Sequence, residues 1–241
     1  MAITNKIGNR IINTQSGQDA ILLIQNNQVQ SAIQEKTVGS GSSADAYNRY
    51  SVSGVSDWYA GIDNSDNDIF AISSSSIGVN NVFRATPIGN VNLPMQCSFS
   101  AYLSSTLTGV VGDNSLYFLP GLTVEYNVGS YYDSSTGIFT APQDGLYYFA
   151  MGVTVTGVTA AMEKFYGAIW ENVTGTAAYN GFNAATVKTA GGTAFSFCSN
   201  FINLTAGMTV RAYVALDGAA SNTANIVAGN STTYFSGGLV A

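Results

Sequence analysis

The sequence predicts an all-β protein whose C-terminal part is a two-sheet sandwich. Only 9% of the 241 residues are charged and 26 are glycine, a composition typical of short strands and tight turns. Strand-like segments recur from Met95 to Ala241, and no convincing helical pattern interrupts them. A chain of this length can form one large domain or two modest ones.

Residues 1–40 form a segment rich in glutamine and asparagine, which we interpret as an attachment segment. Asn26 and Asn27 lie between two apolar runs and favour a hairpin turn. A helix over residues 19–36 is the alternative, although the apolar residues 20–24 would cover every side of it. Residues 37–46 are small and polar, which predicts a loop or linker.

Residues 41–94 are predicted to be β-rich, because short apolar stretches alternate with Gly, Asn and Asp. In order, they contain a strand with Trp58, the turn GIDNSD at 61–66, the strand FAIS at 70–73 and the ending GNVNLP at 89–94. This series resembles the β-rich repeats near the heads of phage and large-virus fibres. The resemblance implies a shaft or collar that leads into a head.

From residue 95 onward, period-two alternation predicts long strands. In the segment Leu146–Val155 the odd-numbered residues Tyr147, Phe149, Met151, Val153 and Val155 form one apolar face. The opposite face carries no charge, so we expect a neighbouring subunit to cover it; its residues are Leu146, Tyr148, Ala150, Gly152 and Thr154. Further strands are predicted at 165–170, 195–204, 208–216 and 234–240, a number and spacing that suit a sandwich.

The segment 131–149, YYDSSTGIFTAPQDGLYYF, places a turn, a strand, a turn and a strand in sequence. Gly137 and Gly145 permit turn conformations that other residues avoid, and Pro142 fixes φ in the connection. The aromatic residues supply most of the buried area of a thin sandwich. The residues that define this signature are Tyr132, Asp133, Gly137, Phe139, Pro142, Gly145, Tyr147 and Phe149.

Three other segments accompany this signature in order: CSFSAYLS at 97–104, LTAGMTVRAYV at 204–214, and STTYFSGGLV at 231–240, which contains Phe235 and Gly237. Together they resemble the C1q/TNF-like domain. The resemblance implies a ten-stranded-type jelly-roll β-sandwich that forms a trimeric binding head, in which the signature residues are structural. Met208 stands where the family has an acidic residue and no collagen repeat precedes the head, so a viral or bacterial relative is the better match.

The composition excludes several kinds of chemistry and partner. The absence of histidine excludes Ser-His-Asp and Cys-His catalysis and histidine metal sites. A net charge of −6 with eight scattered basic residues argues against nucleic acid as a binding partner. Neither an apolar run of about 18 residues nor a secretion signal is readable, so no membrane insertion is expected. Cys97 and Cys198 are predicted to be buried free thiols, with a disulfide as the alternative.

Three kinds of site remain as candidates. Asp63, Asp66 and Asp68 could suit Ca²⁺, but their loop lacks the glycine and distal glutamate of an EF-hand, so a solvated turn without a cofactor is favoured. Glu125 with Glu163 or Glu171 would be needed for glycoside hydrolysis, and nothing in the sequence brings them together. Loop tips at 178–183 and 218–225 are candidate ligand contacts, with Tyr179, Phe182 and Asn183 as the candidate residues.

We therefore expect a non-enzymatic homotrimer with an attachment segment (1–40), a shaft or collar (41–94) and a jelly-roll head (95–241). The expected function is that of a virus or phage fibre or spike on the virion surface. Its head would bind a host receptor or glycan, and its N-terminal segment would bind a virion or capsid protein. The alternative is a structural capsid, vertex or decoration protein whose head binds other particle proteins. A polysaccharide-degrading enzyme is the third hypothesis and would require the carboxylate pair.

Overall fold

Antiparallel strands make up most of the structure, a computed structural model that describes residues 44–183, 192–219 and 221–241. Within these ranges the helical structure is a single 3-10 turn, Asn64–Asp66. The prediction of an all-β protein is confirmed. The predicted N-terminal hairpin and most of the predicted linker lie outside the described residues.

The first five strands form an antiparallel meander, which we call the collar sheet. Each strand pairs with the next one along the chain. The predicted GIDNSD turn contains the 3-10 turn, which joins the second strand to the third. The strands are β1 (Ala46–Val52), β2 (Ser56–Asp63), β3 (Ile69–Ser76), β4 (Val79–Ala85) and β5 (Val91–Asn92).

The remaining strands form two antiparallel sheets, which face each other across one core. Sheet I has seven strands: β6 (Ser98–Tyr102), β7 (Leu107–Val111), β9 (Thr123–Val128), β12 (Gly145–Val158), β15 (Gly192–Leu204), β17 (Ala224–Ile226) and β18 (Tyr234–Leu239). Sheet II has six: β8 (Tyr117–Phe118), β10 (Tyr132–Asp133), β11 (Ile138–Thr140), β13 (Lys164–Glu171), β14 (Gly175–Asn183) and β16 (Thr209–Asp217). This arrangement confirms the predicted jelly-roll sandwich.

The longest strand, β12, organises sheet I. It pairs along its length with β15 on one side, and with β18 and then β17 on the other. The predicted inward face is confirmed, because Tyr147, Phe149, Met151, Val153 and Val155 are all fully buried. A 14-residue strand can support two successive neighbours on one side because the shorter strands share its length.

An aromatic cluster fills the centre of the sandwich. The ring of Phe99 lies 4.3 Å from that of Tyr132 and 5.0 Å from that of Phe235, measured between centroids. The rings of Phe139 and Phe149 complete the cluster, 5.4 Å and 6.5 Å from Phe99. Since Phe99 and Phe235 come from sheet I and Tyr132 and Phe139 from sheet II, these contacts join the two sheets.

Gly137 occupies a turn that a larger residue cannot adopt without strain. Its φ is +71°, and a Cβ atom built there would lie 2.3 Å from the carbonyl oxygen of Leu119. Its amide donates a hydrogen bond to the carbonyl of Asp133 at 2.8 Å, which closes the turn before β11. The signature glycine is therefore required both by its backbone conformation and by the available space.

We predict that Gly137→Ala destabilises the fold more than Gly207→Ala. Gly207 has a similar φ of +87° but has no atom within 4 Å of the built Cβ, so its substitution adds only backbone strain, about 1–2 kcal/mol. Gly137→Ala adds a clash with rigid backbone, and we expect a loss at least about 1 kcal/mol larger. Urea unfolding of both variants at one protein concentration measures the difference. Equal losses would show that the space around Gly137 is not limiting.

Candidate binding surfaces

The outer face of sheet I exposes a band of aromatic side chains. Alternation along β15 points Phe195, Phe197 and Phe201 away from the core, and Phe201 is 58% exposed. In the neighbouring strand Tyr148 pairs with Phe201, and their ring centroids lie 5.0 Å apart. Across the sheet Tyr126 is also exposed. We call Tyr126, Tyr148, Phe195, Phe197 and Phe201 the aromatic band; a patch of this kind is typical of a protein interface.

The chain itself covers part of the β12 face that we expected a neighbouring subunit to cover. Ala150, Gly152 and Thr154 are buried within the described chain, whereas Tyr148 is exposed. The ring of Tyr234 lies against Gly152, where an added Cβ would approach it to 2.6 Å. Thr154 donates a hydrogen bond from its hydroxyl to the carbonyl of Thr232 at 3.1 Å. The expectation was therefore wrong for these three residues; the chain just before and at the start of β18 covers Gly152 and Thr154.

The collar sheet also has one apolar face that the described chain leaves open. Cross-strand pairing places Tyr50 beside Trp58, and Ile62 beside Phe70, on the same face. All four side chains are classed among the exposed large hydrophobic residues. A single sheet with an open apolar face is typical of an element that packs against a partner.

The structure places the predicted ligand residues in a strand instead of a loop. Tyr179, Phe182 and Asn183 belong to β14, where their register partners in β13 are Ala168, Phe165 and Lys164. The loop assignment of 178–183 was therefore wrong. Hydrogen bonding to β13 holds this segment in sheet II although its alanine, asparagine and glycine residues are typical of a turn. Binding by these three residues stays a prediction.

Two of the three aspartates of the collar turn have separate structural roles. Asp63 is buried and accepts hydrogen bonds from the backbone nitrogen of Ser65 at 3.1 Å and from its hydroxyl at 2.7 Å. Asp66 forms an ion pair with Arg84. In the described part of the chain no group of three or more acidic or cysteine residues is placed to hold a metal. The weak Ca²⁺ candidate of Asp63, Asp66 and Asp68 is therefore not supported by their arrangement.

Two of the three glutamates of the enzyme hypothesis, Glu125 and Glu171, form hydrogen bonds within the fold. Glu125 accepts a hydrogen bond from the hydroxyl of Ser100 at 2.8 Å, on sheet I. Glu171 is buried in the turn between β13 and β14, where the amide of Val173 donates to it at 2.9 Å and Thr174 donates from both its amide and its hydroxyl. Burial alone would raise the pKa of Glu171, but these hydrogen bonds outweigh it and lower the pKa. A carboxyl group held ionised in this way is a poor general acid.

Both cysteines are buried free thiols, as predicted. The Sγ of Cys198 lies 3.6 Å from the carbonyl oxygen of Gly167, in contact with sheet II. Burial raises the pKa of Cys198 to about 11, which keeps the thiol protonated near neutral pH. These cysteines therefore act as small apolar core residues.

Within the described ranges, no helix has the length and hydrophobicity needed to cross a bilayer.

The two facing antiparallel sheets and the aromatic core define a jelly-roll sandwich domain. The chain belongs to the C1q domain family, which matches residues 98–240, so the predicted resemblance is confirmed for the head. Domains of this family are commonly trimeric and generally serve as binding or structural modules. The family match begins at residue 98, so the fibre-repeat resemblance of residues 41–94 stays a prediction.

Solved structures with similar folds include two domains from animals. The globular domain of zebrafish complement 1qA protein is 13% identical, with a TM-score of 0.43, and the match covers 61% of this chain and 98% of that one. Murine APRIL at pH 5.0 is 7% identical, with a TM-score of 0.45, and the match covers 60% of this chain and 99% of that one. A search of curated proteins found no match to this chain.

Proposed function

We propose that this chain is the trimeric fibre or spike protein of a virus or phage, whose C-terminal head attaches the particle to a host surface. The observation that carries the proposal is the aromatic band on sheet I, which is exposed in one chain. A second copy of the chain is the partner best suited to it, because C1q domains are commonly trimeric. The open apolar face of the collar sheet supports the same assembly.

A trimer also suits attachment physically. Three identical heads present three copies of one site, so weak binding at each becomes strong when several sites bind at once. Such a head needs neither a cofactor nor a catalytic group. The N-terminal segment 1–40 would then bind a virion or capsid protein and place the head at the virion surface. The fibre-like sequence of residues 41–94 is the observation that favours a virus or phage particle over an animal setting.

The first test is the solution mass of the full chain, measured by light scattering. A trimer has a mass of about 75 kDa, three times the 25.1 kDa of one chain. A monomer at micromolar concentration would contradict the assembly on which the proposal depends. A mass larger than that of a trimer would show that contacts other than those of a threefold head hold the copies together.

The second test separates host attachment from a purely structural role. Purified full-length protein, free of particles, is applied to candidate host cells and to a glycan panel. Saturable binding that unlabelled protein displaces supports attachment. Binding only to proteins of the particle would favour the alternative of a capsid or decoration protein. Loss of surface polysaccharide during incubation would revive the enzyme hypothesis, with Glu125→Gln as the variant to examine.

A further inference from the structure

The outward face of sheet II carries an arginine set among aromatic rings. Val210, Ala212 and Val214 point into the core, so the alternate residues of β16, Arg211 and Tyr213, point outward. Backbone pairing places Trp170 beside Arg211, and Phe118 beside Tyr213. The ring of Phe118 lies 5.9 Å from that of Trp170 and 5.7 Å from that of Tyr213. We call Phe118, Trp170, Arg211 and Tyr213 the arginine slot.

The guanidinium group is positioned by the rings and not by an acid. Its central carbon lies 4.5 Å from the centroid of Phe118 and 5.3 Å from that of Trp170. Among the described residues no carboxylate forms an ion pair with Arg211, and its buried Nε has no hydrogen-bond partner. An unpaired buried donor is costly, so such a group in a folded protein calls for an explanation. Arg211 as a whole is half-buried, so the donors that it offers to a ligand are the terminal N–H groups, which lie in the plane of the guanidinium.

Two carboxylates on strands near Arg211 in sheet II are already engaged. Asp133 lies in the same cross-strand row as Arg211, with Ile138 between them. Its carboxylate accepts hydrogen bonds from the hydroxyls of Ser135 and Thr136 at 2.7 and 2.9 Å. On the other side of Arg211, Glu171 follows Trp170 in β13, pairs with Val210 and is occupied by its own turn. The donors of Arg211 are therefore not matched by the neighbouring acids.

From this geometry we propose that the arginine slot binds the carboxylate of an acidic sugar of the uronic acid class. The planar fork of a guanidinium donates two parallel hydrogen bonds to a carboxylate, and aromatic rings contact the C–H faces of a pyranose. Thr176 lies in the same cross-strand row as Arg211 and Trp170 and is exposed, so its hydroxyl can bond to a sugar hydroxyl; the hydroxyl of the buried Tyr213, 2.8 Å away, positions it. The inference rests on the proposed function and gives its ligand a chemical class.

The charge of the chain argues for a single carboxylate and against a polyanion. Arg211 is the only arginine after residue 84, in a chain whose net charge is −6. A polyanion such as nucleic acid needs several basic residues along its path and is repelled by an acidic protein. One fixed guanidinium beside aromatic rings suits one acidic sugar unit.

Fluorescence of Trp170 tests the proposal in the full-length protein. The chain has two tryptophans, so Trp58→Phe leaves Trp170 as the only one. This protein is titrated with glucuronate and, separately, with glucose, at constant ionic strength. The two sugars differ in whether the sixth carbon is a carboxylate. We expect a saturable change with glucuronate, and a change with glucose that is at least about tenfold weaker.

Two substitutions at the arginine, made in the Trp58→Phe protein, decide whether the slot is responsible. Arg211→Gln should weaken glucuronate binding by about 10- to 100-fold, and Arg211→Lys should weaken it as well because lysine lacks the planar fork. Lys164→Gln, which removes a positive charge at the far end of the same sheet, should leave it unchanged. If Arg211→Gln does not fold by circular dichroism, Arg211→Lys alone decides. An equal response to both sugars, or full binding by a folded Arg211 variant, overturns the inference.

The outcomes also separate this inference from the proposed function. Host-cell binding that survives Arg211→Gln, together with no response to glucuronate, would leave attachment standing and reject the slot. Glucuronate binding that depends on Arg211, in a protein that binds no host cell, would keep the slot and reject host attachment.

Discussion

Phe99→Ala is expected to lower the free energy of unfolding by about 3–5 kcal/mol, the usual loss when a buried aromatic ring is removed. Phe99 is fully buried, and its ring has four other core aromatic rings within 6.5 Å. Those rings belong to both sheets, so they cannot all move into the space without disturbing the sandwich. The cavity should therefore remain largely open, and the loss should fall in the upper part of the range.

Urea unfolding at one fixed protein concentration measures this loss, because an assembled protein gains apparent stability with concentration. Phe99→Leu is the matched control: it keeps most of the volume but removes the ring, so its loss should be smaller by about 1–2 kcal/mol. If alanine and leucine cost the same, the ring contacts matter more than the cavity. A loss below about 1 kcal/mol for alanine would mean that Phe99 is not at the centre of a close-packed core.

Much of the head could be predicted from the sequence because its strands are long and alternate. The segment Leu146–Val155 is observed within β12, and the strands predicted at 165–170 and 195–204 are observed as β13 and β15 with only small shifts at their ends. Each of them is buried on its inward face, so apolar residues must recur at every second position. The short strands β8 and β17 have two and three residues, which is too few for a recognisable period.

The predictions that were wrong concern segments whose structure depends on contacts with residues far away in the sequence. The segment 178–183 has the composition of a loop, and only pairing with β13 makes it a strand. The outer face of β12 looked uncovered because Tyr234, which lies against Gly152, is some eighty residues further along the chain. Neither contact leaves a local pattern in the sequence.

The arginine slot was missed for a related reason. Phe118, Trp170 and Arg211 come from three strands that are far apart in sequence, and only the pairing of sheet II brings them together. The one available signal was an arginine at an outward position of the apolar strand TVRAYVALD. A lone charge in such a strand is more often a solvated residue than a site, so composition alone could not single it out.

The proposed assembly predicts that Phe197→Asp converts the trimer into a folded monomer. In one chain Phe197 is 41% exposed on the aromatic band, so an aspartate there should cost the isolated fold little. In an assembled trimer the same carboxylate would be buried among aromatic rings without a basic partner, at a cost of several kcal/mol for each copy. The summed free-energy cost of three buried aspartates is larger than the binding free energy of a typical subunit contact. Light scattering should then give the 25.1 kDa mass of one chain, with an unchanged circular dichroism spectrum.

Val173→Asp is the matched control, because Val173 is 68% exposed in the turn between β13 and β14, away from the aromatic band. It introduces the same charge and should leave the trimer intact. A trimer that also survives Phe197→Asp would exclude the aromatic band as the main contact. The open face of the collar sheet would then be the next candidate for the main subunit contact, and light scattering of Trp58→Asp would test it. Because the two faces belong to separate sheets, a double variant that is monomeric while each single variant stays trimeric would show that both hold the subunits together.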